Sequence, residues 1–593
     1  MNNFFKQILA TVCGIFAFIF ISGMLIFGLV GIFGFIASLG SDTMDHSVLR
    51  IEMTGKLDER APESNVLSEL VGNDNMGTQG LDELVTAIRA AKDDKHIDGI
   101  YLDGGTLSGD YASLQYLRSV LADFKKSGKF IYAYADQYTQ GAYYVASVAN
   151  TVSLNPQGML DWHGIASQPI FYTGLLQKVG VTMQVFKVGT YKSAVEPYIL
   201  TQMSDANREQ VNSFISDIWT SITKEVSDSR KVSVETLNKC ADNYLSLASP
   251  TDYKKNKLVD KLAYIDEVRA DLRKLAGQDK LTLVSPAEVA GSATISTEKD
   301  VIAVYYAIGD IVDEAASTNF NQENEIVGSK VVEDLDLLAN DDDVKAVVLR
   351  INSGGGSAYA SEQMWRAIQQ LKAKKPVVVS MSGMAASGGY YMSCGANYIF
   401  AEPTTLTGSI GIFGMIPDAS GLLKEKLGLS FDVVKTNEGS DFGAMGRPFN
   451  EAEGAAMQGY VDRGYELFIK RVADGRNAAG HKMTTDDVDK IGQGRVWTGK
   501  QAVKLGLVDK LGSIDDAIAK AAKLAKTDKY CTEGYPEMVD WMTSLGNNSA
   551  GGDYLEQRVK TVLGDYYTPL SFILNADQNS MLQARIFYLP NLK

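Results

Sequence analysis

The chain has 593 residues, 45% hydrophobic and 22% charged, which excludes a disordered or collagen-like protein and calls for more than one domain. Asp and Glu number 72 against 57 Lys and Arg, a net charge of −15 that argues against nucleic-acid binding. Its 4 Cys (Cys13, Cys240, Cys394, Cys531) and 4 His (His46, His96, His163, His481) are scattered, so no disulfide framework, zinc ribbon, metal site or cofactor is expected.

The first predicted element is apolar. From Gln7 to Ser41 no residue is charged, and most are Ile, Phe, Leu, Val, Gly or Ala. A bilayer-spanning helix needs about 20 such residues, whereas the apolar region of a cleaved signal peptide has about 7–15. Residues 1–41 therefore read as a short cytoplasmic stub and one uncleaved transmembrane anchor. Lys6 precedes the run and Asp42 and Asp45 follow it, which places everything after residue 42 across the membrane.

The remainder is written twice. His96-Ile97-Asp98-Gly99-Ile100-Tyr101-Leu102 matches Asp343-Val344-Lys345-Ala346-Val347-Val348-Leu349. Tyr143-Tyr144, Asn150 and Pro156 match Tyr390-Tyr391, Asn397 and Pro403. Val226-Ser227-Asp228-Ser229-Arg230 matches Val472-Ala473-Asp474-Gly475-Arg476, and Leu258-Val259-Asp260-Lys261-Leu262 recurs unchanged at Leu507-Val508-Asp509-Lys510-Leu511. Several matches in one order at one offset mark a tandem duplication. The pattern within each copy is α/β. Helical spacing runs over Leu81–Ala91 and Glu209–Val226, then over Ser361–Ala373 and Ala455–Val472, with Asp205 and Asn450 as helix starts. Buried strands are predicted at Val301–Tyr306, Val344–Ile351 and Val377–Met381. Strands alternating with helices imply mostly parallel sheets. The first repeat is placed at 42–295 and the second at 296–593, with a seam at about Ser285–Lys299 and a tail from about 528 that has no mechanistic reading beyond a guess at subunit contact.

The chemistry lies where the copies differ. Ile351-Asn352-Ser353-Gly354-Gly355-Gly356-Ser357 follows a strand and opens a helix, so its backbone N–H groups can converge on a phosphate or an oxyanion. It has neither the Lys-Ser/Thr ending of a P-loop nor a dinucleotide fingerprint. Further on, Met384-Ala385-Ala386-Ser387-Gly388-Gly389-Tyr390-Tyr391 sets a Ser among small residues at a strand-to-helix junction. Taken alone, Ser387 reads first as a helix cap or a packing residue and only after those as a nucleophile. Its first-half counterpart is Gln140, in Thr139-Gln140-Gly141-Ala142-Tyr143-Tyr144. Conversely, Gly189-Thr190-Tyr191-Lys192-Ser193-Ala194-Val195-Glu196-Pro197 carries a Lys that Thr436-Asn437-Glu438-Gly439-Ser440 lacks. One copy keeps a candidate nucleophile, the other a candidate base. A Lys serves as a base only when neutral, which a dry site favours. His163 beside Trp162 reads as structural, as do the paired tyrosines and Cys394, and Glu196 and Pro197 as shaping a turn.

Three motifs, Tyr191-Lys192-Ser193-Ala194-Val195-Glu196-Pro197, Met384-Ala385-Ala386-Ser387-Gly388-Gly389-Tyr390 and Leu406-Thr407-Gly408-Ser409-Ile410-Gly411-Ile412-Phe413-Gly414, together with the anchor and the repeat, resemble the long tandem form of bacterial signal peptide peptidase A (protease IV). That resemblance implies a Clp-protease/crotonase-like fold in each repeat and a Ser/Lys dyad assembled across them. Ser387 is then the nucleophile, Lys192 the general base and acid, and Ser409 the group that orients Lys192. Backbone N–H groups of Gly388 and, in the glycine loop, Gly355 are implied as the oxyanion hole. The family's loop has Pro where this chain has Gly354. The resemblance further implies a homotetramer on the bacterial inner membrane, periplasmic domains, and signal-peptide remnants or other apolar peptides as substrates. Two other readings are a crotonase-like acyl-CoA enzyme and a catalytically inactive peptide-binding scaffold at the membrane.

Overall fold

The computed structural model describes residues 45–60, 77–292, 298–314, 325–537 and 582–586. The anchor expected over Gln7–Ser41 lies outside these residues, as does most of the tail; among the described residues no helix is long and apolar enough to cross a membrane.

Each repeat is built on a sheet whose main strands run parallel. In the first, the order is Lys261–Leu262, Thr151–Leu160, Phe130–Tyr138, Ile97–Asp103, Ser47–Glu52, Thr282–Val284. In the second, Val496–Thr498, Leu406–Gly408, Val377–Ala386, Val344–Ser353, Val301–Ile308 and Cys531–Tyr535 follow one another, and Tyr398–Ala401 and Lys510–Leu511 join beside Val377–Ala386. The central strands are buried on both faces, as helix-covered parallel strands must be, which is why Val377–Met381 and Val344–Ile351 are nearly unbroken apolar runs.

The duplicated motifs turn out to be structural joints. The Tyr143 hydroxyl donates to the Leu258 carbonyl at 2.8 Å, and the Tyr390 hydroxyl to the Leu507 carbonyl at 2.9 Å. Asn150 Oδ1 accepts the Ile131 N–H at 2.9 Å and Asn397 Oδ1 the Val377 N–H at 2.8 Å. Arg230 pairs with Asp260 at 2.8 Å, and buried Arg476 with Asp509 at 2.6 Å. These residues satisfy buried backbone groups and close the same corner in both copies, so duplication kept them.

The long helices, Asp205–Arg230 and Glu451–Ala478, begin four residues before their apolar periodicity and run beyond its end. Asp205–Arg230 is capped by Ser204, whose side chain accepts the Asn207 N–H, and Glu451–Ala478 by Asn450, which accepts from Glu453. The seam is not all linker: Pro286–Ser292 is helical and packs on Leu81–Asp93, burying Val289.

The two repeats are locked together in two ways. Buried Arg350 donates to buried Glu59, Nε to Oε2 at 2.7 Å and Nη2 to Oε1 at 3.0 Å. The same guanidinium reaches Ser380 Oγ at 2.9 Å and Ser382 Oγ at 3.0 Å on the strand that leads into Ser387. Second, a third sheet mixes strands of both repeats in the order Glu325–Val327, Asp310–Val312, Gly355–Ser357, Gln583–Arg585, Phe413–Asp418, Thr182–Lys187. In it Thr182–Lys187 of the first repeat runs antiparallel to Phe413–Asp418 of the second, from Lys187 opposite Phe413 to Thr182 opposite Asp418. That ladder ends five positions before Lys192 on one strand and begins four after Ser409 on the other.

Candidate active site

The nucleophile candidate stands at a sharp corner. Ser387 follows the strand Val377–Ala386 and precedes the helix Gly388–Ser393, with φ +54° and ψ −112°. No L-residue adopts that backbone cheaply, and it persists only where the surroundings impose it. Its N–H donates to the Gly408 carbonyl at 2.8 Å, and its side chain makes no cap to the helix. The capping reading of Ser387 therefore fails, and its hydroxyl is turned elsewhere.

It is turned toward Lys192. Nζ of Lys192 lies 2.8 Å from Ser387 Oγ, 3.2 Å from Ser409 Oγ and 3.4 Å from the Ser409 carbonyl oxygen. Ser387 is 0% and Lys192 1% exposed. No carboxylate accompanies the amine among the described residues; its apolar neighbour is the Phe413 ring, 5.9 Å away. Burial alone lowers the Lys192 pKa from 10.5 to about 7. Ser409 also has positive φ, +49°, and is tied by its N–H to the Arg495 carbonyl at 2.7 Å. All three polar side chains expected in the site thus meet in one enclosed place.

The Lys192 loop is held by residues that sequence reasoning missed. Gln210, on the helix Asp205–Arg230, donates to the Tyr191 carbonyl at 3.0 Å and Ser193 Oγ at 3.1 Å, and accepts the Val496 N–H at 3.1 Å, bracketing Lys192 from both sides. The Tyr191 N–H donates to the Gln493 carbonyl at 2.9 Å. Gly494 (φ +81°) packs so closely that a Cβ there would fall 2.6 Å from Lys192 Cα. Only that approach could have flagged Gly494, and a lone glycine in a loop does not announce it. Glu196 accepts from the Ser204 N–H and hydroxyl and from Asn207 Nδ2, which fixes the turn after Lys192, as its position suggested.

The glycine loop lies beside Ser387. A Cβ on Gly355 (φ +94°) would fall 2.6 Å from the Gly388 nitrogen, so only glycine allows this approach. The Gly355 N–H itself donates to Ser353 Oγ at 3.1 Å. The next residue, Gly356, lies in the ladder of the third sheet, opposite Ala584.

In the first repeat the equivalent corner is plugged. Gln140, in place of Ser387, accepts the His163 and Gly164 N–H groups at 3.0 and 2.9 Å and donates to Tyr111 and the Gly164 carbonyl. The His163 ring pairs with Asp161 at 3.2 Å and takes no part in the Lys192 contacts. Cys394 is buried, donates to the Tyr391 carbonyl and has its thiol pKa pushed up to about 12 by burial, as suits a core residue. Among the described residues no group of three or more His, Cys, Asp or Glu could hold a metal ion.

The chain matches peptidase family S49 over residues 123–279 and 369–528, one match in each repeat, and the Clp protease family over residues 304–405. It is 39% identical to Protease 4 of Salmonella typhi, across 84% of this chain and 81% of the relative. Protease 4 of Haemophilus influenzae is 34% identical across 82% of this chain and 79% of its own. The chloroplastic serine protease SPPA of Arabidopsis thaliana is 32% identical across 74% and 64%. Among solved structures, a point mutant of ClpP1 from Listeria monocytogenes aligns over 37% of this chain and 95% of its own, with 17% identity and a TM-score of 0.23.

Proposed function

The chain belongs to peptidase family S49 and is a serine peptidase of the protease IV type, and on that premise we propose that Ser387 and Lys192 are its catalytic dyad, one from each repeat. The observation that carries this is the 2.8 Å contact between Lys192 Nζ and Ser387 Oγ in a site closed to water. A buried amine without a carboxylate partner, its pKa lowered to about 7, is neutral in a large share of molecules at neutral pH and can accept a proton. Lys192 takes the Ser387 proton as Oγ attacks a peptide carbonyl, then passes it to the leaving amine. Water activated by the same amine releases the acyl group. Ser409, with its hydroxyl and carbonyl both on Nζ, orients Lys192 toward Ser387.

Gly388 supplies one oxyanion donor. The second comes from the glycine loop, whose Gly355 packs against the Gly388 nitrogen. Each such donor contributes about 3 kcal/mol to the transition state. Neither an acyl-CoA enzyme nor an inactive scaffold accounts for a neutral amine on a strained, buried Ser.

The protein acts on extended apolar peptides, signal-peptide remnants among them, from a membrane position set by Gln7–Ser41 and with its repeats on the periplasmic side as a homotetramer. The apolar run of that segment and the protease IV relationship support this setting. A fluorophosphonate probe tests the dyad: wild type is labelled at Ser387 and hydrolyses an unfolded protein such as casein, while Lys192→Ala does neither yet keeps its fold and assembly. Unchanged turnover in Lys192→Ala refutes the assignment.

A further inference from the structure

The segment Gly492–Arg495 of the second repeat runs between the Lys192 loop and Ser409. Gln493 (φ +52°) and Gly494 (φ +81°) both take the left-handed backbone, which an L-residue such as Gln adopts only where its neighbours impose it. On one side the Gln493 carbonyl accepts the Tyr191 N–H at 2.9 Å, one residue before Lys192. On the other, the Gly494 N–H donates to the Ile410 carbonyl at 2.7 Å, and the Arg495 carbonyl accepts the Ser409 N–H at 2.7 Å. One short segment thus spaces the amine from the serine that orients it. The Arg495 side chain closes the clasp. Its guanidinium lies over the Tyr191 ring, 4.6 Å from the centroid, and over the Trp497 ring at 4.4 Å. Nη1 donates to the Tyr191 hydroxyl at 3.0 Å and Nη2 to Glu209 Oε1 at 2.8 Å. Trp497 is fixed in turn by its indole N–H, which donates to the Ile491 carbonyl at 2.9 Å. The Glu209 side chain is 56% exposed, so that ion pair is a weak tether. A guanidinium held over two aromatic faces is a stronger one. The first repeat lacks this device: at the offset that pairs Leu258 with Leu507, Ser246 stands where Arg495 does and Ala248 where Trp497 does. The joints common to both copies serve the fold, whereas this Arg and Trp occur only in the copy that meets the Lys192 loop.

We propose that Arg495 is a positioning residue for the reaction: its stack on Tyr191 and Trp497 pins the Lys192 loop of the first repeat against the second, so that Lys192 Nζ stays on Ser387 Oγ. The proposal rests on the Ser387–Lys192 dyad. The hydrogen bonds of the Arg495 side chain go to Tyr191 and Glu209, so it acts through the loop and touches no reacting atom. Its charge does not tune the amine either, because burial alone lowers the Lys192 pKa. With the stack gone, the loop is tied to the second repeat by backbone contacts and by Gln210. The amine then drifts from Ser387 Oγ and regains water, which favours its charged form.

The test is steady-state hydrolysis of an extended apolar peptide across pH by the full-length chain in detergent, wild type beside Arg495→Lys, Tyr191→Leu and Tyr191→Phe, with the fold checked by circular dichroism. Lys keeps the charge at 495 but not the planar face that stacks. Arg495→Lys is expected to lose about a hundredfold in kcat at neutral pH with KM unchanged. Its kcat/KM limb moves from about 7 toward 10.5 as the amine regains water. Tyr191→Leu, which removes the ring, shows the same shift, and Tyr191→Phe, which keeps it, does not. A role in stability alone lowers kcat/KM equally at every pH and leaves the limb at about 7. That result, or wild-type kinetics in Arg495→Lys, overturns the proposal and leaves the dyad standing. Should Arg495→Lys fail to fold, the Tyr191 pair decides, and identical pH profiles in Leu and Phe variants overturn it. A wild type that fluorophosphonate does not label and that shows no limb near 7 removes the dyad and this proposal together.

Discussion

Replacing Lys192 with Met keeps an unbranched side chain of similar length and deletes the amine. The structure gives this change two opposed consequences. The folded chain lowers the Lys192 pKa from 10.5 to about 7 by burial, a difference of about 5 kcal/mol against the charged form. Between those two values the unfolded chain holds the proton and the folded chain does not, so the fold gains stability as pH rises through that window. Below about pH 7 both states are protonated and the burial penalty is present in full; above 10.5 both are neutral and it is gone. Met carries no such penalty at any pH. Against that, Ser387 Oγ and Ser409 Oγ lose a partner in a closed site, a cost of about 1–3 kcal/mol. The Met variant is therefore more stable than wild type by about 2–4 kcal/mol at neutral and lower pH, and less stable by about 1–3 kcal/mol near pH 10.5. Thermal unfolding midpoints of both proteins across that pH range read the crossover directly. A Met variant that is less stable at neutral pH, or a difference that does not move with pH, refutes the claim that burial alone holds this amine neutral. The variant hydrolyses no peptide at any pH.

Three further outcomes follow from the same geometry. The kcat/KM of wild type rises with pH through a limb set by Lys192 at about 7 rather than 10.5, and Lys192→Arg, whose guanidinium stays charged, loses about a thousandfold or more in a steady-state assay. Gly494→Ala places a Cβ 2.6 Å from Lys192 Cα at φ +81°, which shifts the amine from Ser387 and lowers kcat by about a hundredfold in a chain that stays folded by circular dichroism. Glu59→Leu leaves the Arg350 guanidinium buried without its carboxylate and destabilises the fold by about 3–5 kcal/mol by denaturant titration, while adding Arg350→Met recovers most of that loss.

What could be read from sequence, and what could not, divides along the range of the interactions. The duplication, the α/β alternation and the reciprocal loss of Ser387 and Lys192 were all legible, because each needs only two stretches compared at one offset. Helix bodies were legible from periodicity, and their starts from polar residues just ahead of it: Asp205 is the first residue of one long helix, behind its cap Ser204, and Asn450 caps the other. The glycine loop announced converging N–H groups but not that one of them is bound within the loop, since that turns on the Ser353 hydroxyl reaching back to Gly355. Gln210 bracketing Lys192 was hidden, because a Gln on a helix face looks like solvent polarity until tertiary contacts form. Hidden too was the strand Gln583–Arg585. Three residues of mixed character have no strand signal of their own, and their conformation is imposed by the edges on either side.

The ladder between Thr182–Lys187 and Phe413–Asp418 has a consequence for when the enzyme becomes dangerous. On a ribosome the first repeat is complete long before Ser387 has been synthesised, and it emerges with its amine but nothing to activate. The second repeat alone has the alcohol without a proton acceptor. With the dyad proposed above, hydrolytic power arrives only when the late strand zips onto the early one, so correct docking of the halves is itself the safety catch, and a chain that misfolds in either half is born unarmed.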